Sequence, residues 1–75
     1  MKSNGNTHTT EYRVIASASK YGIKGTCGSQ TVTVVNLTAD IKSITEFVEM
    51  LNTEQLELCH LKEVAEDFRY KTEKL

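Results

Sequence analysis

Proline is absent from the sequence, cysteine occurs only twice among 75 residues, and there is no long apolar run. Secreted domains of this size that depend on disulfides usually carry four or more cysteines, so two cysteines favour a reducing, cytoplasmic setting. A membrane-spanning helix needs roughly 20 apolar residues in succession, and residues 1–10 lack the apolar run of a targeting segment. The sequence therefore predicts a cytoplasmic protein that does not enter a membrane.

A surplus of positive charge is also missing, because nine basic side chains stand against ten acidic ones and give a net charge of -1. Proteins that bind nucleic acid normally use such a surplus to neutralise phosphates, so nucleic acid is disfavoured as a partner. With 39% hydrophobic and 25% charged residues, the composition is that of a folded protein. A chain of this length forms a single domain, which buries only about 60% of the surface that the unfolded chain exposes.

Three short runs with strand-forming composition follow the first ten residues, which contain little to bury and are predicted to form a disordered N-terminal tail. The runs are rich in Tyr, Val, Ile and Thr and read EYRVIAS, YGIKGTC and QTVTVVNL. Two-residue turns at positions 18–19 and 28–29 would join them as hairpins. In this register Val14 faces Ile23, which faces Val34, so apolar residues meet apolar ones. The resulting core face comprises Tyr12, Val14, Ala16, Tyr21, Ile23, Val32 and Val34.

Beyond residue 38 the apolar period changes from two to about 3.6, which is typical of amphipathic helices. The first helix is predicted to have Thr38 as its N-cap and Asp40 in its first turn, and to end near Leu51 or Asn52. The second helix is predicted from residue 56 or 57 to Tyr70. The apolar stripes comprise Ile41, Ile44, Phe47, Val48 and Leu51 in the first helix, and Leu58, Leu61, Val64, Ala65 and Phe68 in the second.

Together these elements predict an α+β fold, in which a three-stranded antiparallel β-meander is followed by an α-helical hairpin packed on one sheet face. The helices should pack antiparallel because only a few residues join them. The domain is predicted to span residues 11–70, and residues 71–75 are expected to fray. No proline-rich or low-complexity segment marks an internal linker.

The segments EYRVIAS, YGIKG, VTVVNLTAD, ITEFVEML and LCHLKEVAEDF resemble a family of small uncharacterised proteins from clostridia and related Firmicutes. The likeness covers roughly residues 11–70. Its most specific elements are YGI at residues 21–23, the junction at residues 36–40, HL at residues 60–61 and EDF at residues 66–68. Because this family is a domain of unknown function, the resemblance transfers no catalytic residues and implies only a bacterial, cytoplasmic protein.

The segment LCHLKEVAEDF, residues 58–68, concentrates the side chains that could carry chemistry. On a helix, His60, Glu63 and Asp67 lie on one side, away from the apolar stripe. A histidine and two carboxylates suit zinc, manganese or iron, but nothing else in the sequence completes the three or four ligands that zinc needs. A solvated or partner-binding face is therefore preferred to a metal site, and no cofactor is predicted.

The two cysteines are not predicted to be reactive. Cys59 shares its side of the second helix with carboxylates, which raise the pKa of a thiol, and it points about 100° away from His60. Cys27 is predicted to be a small apolar residue on the core side of its hairpin. A bridge between Cys27 and Cys59 is geometrically possible, but nothing in the sequence supports it.

No catalytic motif is present. The glycines at positions 22, 25 and 28 do not form a phosphate-binding loop, because they belong to a hairpin and do not lead into a helix as such a loop must. We therefore expect a non-enzymatic protein-protein interaction or regulatory module. It could bind a protein partner, or a second copy of itself as a homodimer, through a free sheet edge. The other candidate contact is one side of the second helix, formed by His60, Glu63, Glu66, Asp67 and Tyr70.

Two alternatives remain open at this point. Nucleic acid could bind Arg13, Lys24 and the threonines on the open sheet face, although that face lacks an aromatic stacking platform. A metal ion or another small ligand could bind at His60.

Overall fold

A computed structural model describes residues 9–73 of the chain and has the predicted βββαα arrangement. The strands are β1 (Glu11–Ser17), β2 (Lys20–Cys27) and β3 (Gln30–Thr38). They are followed by α1 (Ile41–Glu54), a single 3-10 turn (Leu58–His60) and α2 (Leu61–Glu73). No helix in this part of the chain is both long enough and apolar enough to cross a membrane.

The sheet has the order β1-β2-β3, and both antiparallel registers agree with the prediction. Val14 pairs with Ile23, and Ile23 pairs with Val34. The predicted register is confirmed. It could be predicted because the two-residue turns and the alternation of apolar side chains specify the same pairing.

A bulge in β3 was not predicted. Tyr21 pairs with Thr38 although Ile23 pairs with Val34, so three residues of β3 lie opposite Gly22 alone. Asn36, in the middle of the three, has a positive φ of 60°, a conformation that asparagine tolerates better than most residues. Uninterrupted alternation would place Leu37 on the open face, whereas the bulge turns it into the core, where it is 1% exposed.

Glycine is required opposite this bulge. A Cβ atom built on Gly22 would lie 2.2 Å from the carbonyl oxygen of Val34, which is closer than any real Cβ contact. The obstacle is main chain and cannot rotate away as a side chain can. The close approach of the two strands therefore depends on the missing side chain at position 22.

The prediction of Thr38 as the N-cap of α1 was wrong, because the cap is Asp40. The Asp40 carboxylate accepts hydrogen bonds from the Lys42 N–H at 3.1 Å and from the Ser43 hydroxyl at 2.6 Å. The Ser43 hydroxyl is the main reason that the pKa of Asp40 lies below its ordinary value, and the nearby Lys42 acts in the same direction. Thr38 instead accepts a hydrogen bond from the Asp40 N–H at 3.2 Å.

Both helices extend further than predicted. α1 ends at Glu54 rather than near residue 51 or 52, because Gln55 takes the left-handed conformation that closes the helix. The chain then stays non-helical through Glu57, and the 3-10 turn precedes α2. α2 continues beyond the predicted end at Tyr70 to Glu73.

The core lies between the sheet and the two helices, with α1 over β1 and α2 over β3. The helices meet where the rings of Phe47 and Phe68 stack with centroids 4.3 Å apart. These rings lie about two turns before the end of α1 and two turns after the start of α2, as expected for antiparallel helices. The buried hydrophobic residues are Tyr12, Ile23, Leu37, Ile44, Val48, Leu51, Leu58, Leu61 and Ala65.

Two predicted core residues are exposed. Ala16 is exposed beside the first turn, where the sheet ends, and Ile41, in the first turn of α1, is 48% exposed. At the other boundary, Thr10 was assigned to the tail, yet it is buried and its carbonyl accepts a hydrogen bond from Gln55. Residues 1–8 of the predicted tail and residues 74–75 of the predicted fraying end lie outside the described residues.

Candidate interaction surfaces

The five residues predicted to form a contact face on the second helix are all exposed. His60 belongs to the 3-10 turn, and the other four lie on α2: Glu63, Glu66, Asp67 and Tyr70. The structure thus places the whole set on the solvent side of the domain.

Two of the three acidic groups of this face have basic partners on the same helix. Arg69 binds Glu66 at 2.5 Å, and Lys71 binds Asp67 at 3.1 Å. Such exposed pairs contribute little to stability, because water and salt screen them. They do cancel much of the negative charge, so the face is less acidic than the sequence suggested and attracts a basic partner less strongly.

The metal-binding trio suggested by the sequence is replaced by another set. Among residues 9–73, the one group of three candidate ligands whose atoms lie within 4.8 Å of one another is Glu57, Cys59 and His60. The Nε2 atom of His60 is 3.5 Å from the Glu57 carboxylate, and its Nδ1 atom is 3.7 Å from that of Glu63. Asp67, which the sequence analysis grouped with His60, is not part of this cluster.

The sequence analysis missed Glu57, although its spacing of three residues before His60 was a usable signal. A regular helix starting at residue 56 or 57 would already place Glu57 beside His60, three residues later, but it would hold Cys59 about 100° away from His60. In the structure Glu57 is extended, and the 3-10 turn begins after it, so its carboxylate folds back towards His60. No periodicity in the sequence indicates where a helix starts with a 3-10 turn.

Cys27 is half-buried and Cys59 is exposed, and neither forms a disulfide. Each lies close enough to the Tyr12 phenol to affect it electrostatically. Burial is the largest cause that raises the pKa of Tyr12, and the two thiols act in the same direction. The Tyr12 hydroxyl donates a 2.7 Å hydrogen bond to the carbonyl oxygen of Leu56, and so ties β1 to the segment between the helices.

The start of the outer edge of β1 is covered by side chains from the end of α1. Asn52 accepts a hydrogen bond from the Tyr12 N–H at 2.8 Å and donates one to the Tyr12 carbonyl at 3.0 Å. Gln55 donates to the carbonyl of Thr10 at 3.1 Å. The Asn52 amide thus occupies the place of a neighbouring strand. We call this pair of hydrogen bonds between Asn52 and Tyr12 the β1 clamp.

Among the described residues, none covers the outer edge of β3 in this way. Within residues 9–73, no side chain forms a hydrogen bond with the β3 main chain between Gln30 and Leu37. Every second residue of an edge strand directs its N–H and C=O groups away from the sheet, where another strand can bind them. β3 also lacks charged residues, whereas β1 carries Glu11 and Arg13. Charge is a common protection of edge strands, so β3 is the less protected edge.

A shallow groove of about 380 Å³ lies beside the start of β3. It is lined by Gln30, Thr31, Val32, Leu58 and Cys59. The groove places the exposed Cys59 next to the open edge. The sequence analysis did not predict this relation because it depends on how the 3-10 turn packs against the sheet.

The open face of the sheet gives the nucleic-acid alternative little support. Arg13 and Lys24 are paired across β1 and β2, but Arg13 lies 3.6 Å from the Glu11 carboxylate. Thr31 and Thr33 are exposed on the same face. Tyr12 and Tyr21, the tyrosines of the sheet, pack on the opposite side with the core. Lys20, which pairs with Ser17, lies on this face as well. Among the described residues, the face therefore offers three cations, of which Arg13 is paired, and no ring on which a base could stack.

Comparison with known proteins identifies no relative from which a role for these surfaces could be inferred. No protein-family model matches the chain, no curated protein matches it, and no solved structure matches it. The likeness to small clostridial proteins of unknown function stays a prediction.

Proposed function

We propose that this protein is a non-enzymatic interaction module that binds an extended protein segment along the open edge of β3. The observation that carries the proposal is the difference between the two edges: the β1 clamp occupies the start of one, while β3 has neither a side-chain cover within residues 9–73 nor a charge. A strand added to β3 would gain main-chain hydrogen bonds without displacing any part of the described domain.

The side chains of β3 suit such a role. Val32 and Val34 lie on the helix side and are only half-buried, so apolar side chains of an added strand could pack beside them. Thr31 and Thr33 lie on the open side and are exposed. The bulge after Val34 ends the regular part of the edge, which limits the added strand to about five or six residues.

The experiment compares capture of proteins from an extract of the source organism by four forms of the chain. The edge variant is Thr31→Lys with Thr33→Lys, which places two lysines on β3. Its matched control is Thr45→Lys with Thr53→Lys, which makes the same charge change at exposed positions of α1. The unaltered chain and a helix-face variant, Glu63→Lys, complete the set.

The expected result is a partner that the edge variant loses and that the other three forms retain. Loss of the partner on Glu63→Lys with retention by the edge variant would assign the contact to the face formed by His60, Glu63, Glu66, Asp67 and Tyr70, and the edge proposal would fall.

A metal-binding role is the second candidate, and the convergence of Glu57, Cys59 and His60 favours it. The three offer a thiolate, an imidazole and a carboxylate, which suit zinc with one position left for water or another ligand. Glu63, near the other ring nitrogen of His60, is placed to orient the imidazole as an outer carboxylate does in many zinc sites.

Cobalt provides the test because a thiolate bound to Co²⁺ gives a charge-transfer band in the near ultraviolet. We expect the band in the unaltered chain and in Cys27→Ser, and its loss in Cys59→Ser and His60→Ala. Titration with Zn²⁺ should remove the band and raise the melting temperature. If sub-millimolar Co²⁺ gives no band, or if Cys59→Ser keeps it, the metal site is ruled out.

A further inference from the structure

We infer that the strand that pairs with β3 is the β3 strand of a second copy of this chain, arranged antiparallel about a two-fold axis through Thr33. The inference rests on the proposed function and names its partner. The product is a homodimer with a continuous six-stranded sheet, in which the four helices cover the same face.

The register follows from the geometry of antiparallel strands, in which directly opposed residues place their side chains on the same side of the sheet. An axis through Thr33 sets Val32 of one copy opposite Val34 of the other. Both valines lie on the helix side and are half-buried in the single chain. On the open side, Thr33 meets its own copy and Thr31 meets Val35, which is 42% exposed. Apolar pairs such as Val32 with Val34 stabilise neighbouring strands.

The absence of charge favours a second copy over a dedicated partner of opposite charge. Residues 30–38 contain no acidic or basic side chain, so two β3 strands can meet without like charges facing each other. The β1 edge could not pair in the same way, because the β1 clamp occupies the Tyr12 main chain and because Glu11 and Arg13 lie along that strand.

The groove beside β3 gives the arrangement a second contact. In the inferred register, Val34 of the second copy lies opposite Val32, which lines that groove together with Leu58 and Cys59. The groove therefore becomes a place where side chains of the second copy pack against the 3-10 turn of the first. The bulge at residues 35–37 ends the pairing symmetrically in both copies, so the interface closes as a dimer and does not extend along the strand.

The mass of the full chain in solution provides the first test. Light scattering coupled to size-exclusion chromatography, over a range of protein concentrations, should show twice the chain mass at the upper end. Thr33→Lys places two ammonium groups opposite each other on the axis and should weaken the dimer at least about tenfold. The matched control Thr45→Lys, on the exposed side of α1, should keep the affinity of the unaltered chain. Circular dichroism verifies that each variant is folded.

A cross-linking experiment tests the register. In a chain with Cys27→Ser and Cys59→Ser, a new cysteine replaces either Thr33 or Thr31, and a short bis-maleimide is added. Thr33→Cys should give covalent dimers, because the two axial residues face each other. Thr31→Cys should not, because it lies four residues, or about 14 Å, along the strand from its counterpart. Linking at position 31 and not at position 33 would overturn the inferred axis.

A strict monomer at millimolar concentration would overturn the self-pairing. If that monomer still captured another protein in a manner that the lysines at positions 31 and 33 abolish, the proposed function would stand with a different partner. If the monomer captured nothing through this edge, both the proposed function and the inference would fail.

Discussion

Replacing Asn52 by alanine removes the β1 clamp and should destabilise the fold although Asn52 lies in a helix, where alanine is the better residue. The substitution breaks both hydrogen bonds to the Tyr12 main chain, which measure 2.8 and 3.0 Å. Each such bond contributes about 1 kcal/mol to stability, so the loss is about 2 kcal/mol. The gain in helix propensity offsets about 0.5 kcal/mol of it.

Thr53→Ala is the matched control. Thr53 is the next residue of α1 and is exposed, and its replacement gives a similar gain in helix propensity without breaking a hydrogen bond. The difference between the two variants isolates the β1 clamp. We expect Asn52→Ala to be less stable than Thr53→Ala by about 2 kcal/mol, which corresponds to a melting temperature lower by roughly 8–16 °C for a domain of this size.

Urea denaturation followed by circular dichroism provides the assay. All variants are compared at one protein concentration, because the stability of a dimer depends on it. Hydrogen exchange of the Tyr12 amide adds a local readout, since its N–H loses its acceptor in Asn52→Ala. The reasoning is refuted if the two variants differ by less than about 0.5 kcal/mol and the Tyr12 amide stays protected.

Three further substitutions test other contacts of the fold. Tyr12→Phe removes the hydrogen bond to Leu56 and should cost about 1 kcal/mol of stability at pH 7. Because the folded state raises the pKa of Tyr12, the stability that the phenol provides should be lost only as the pH rises above about 10. Denaturation of both chains at alkaline pH checks this. Asp40→Asn should be less stable than the unaltered chain at neutral pH, and the difference should vanish as the pH falls below the lowered pKa of Asp40, as acid titrations of both chains would show. Gly22→Ala forces a Cβ atom against the Val34 carbonyl and should cost at least about 3 kcal/mol in urea denaturation, so a stability within 1 kcal/mol of the unaltered chain would contradict the close approach of the strands.

Among the surfaces, the sequence indicated which residues would be exposed but not how they are grouped. The five residues from His60 to Tyr70 lie on the solvent side because helical periodicity separates them from the apolar stripe. Their ion pairs with Arg69 and Lys71 depend on side-chain conformation. The cluster of Glu57, Cys59 and His60 depends on a 3-10 turn that periodicity does not signal. The difference between the sheet edges depends on a helix end that lies 40 residues from the strand it covers.

The strands, their register and the apolar faces of both helices were determined by the sequence itself. Those features follow from the spacing of neighbouring residues: a period of two, two-residue turns, and a period of about 3.6. The tertiary structure decided the rest. The bulge at Asn36 depends on the close approach of β3 to Gly22, which has no side chain. The β1 clamp depends on contact between Asn52 and Tyr12, which are far apart in the sequence. Contacts between distant residues leave no periodic trace in the chain. Only the folded structure therefore shows that side chains of α1 cover the start of β1 and that, within residues 9–73, none covers the edge of β3.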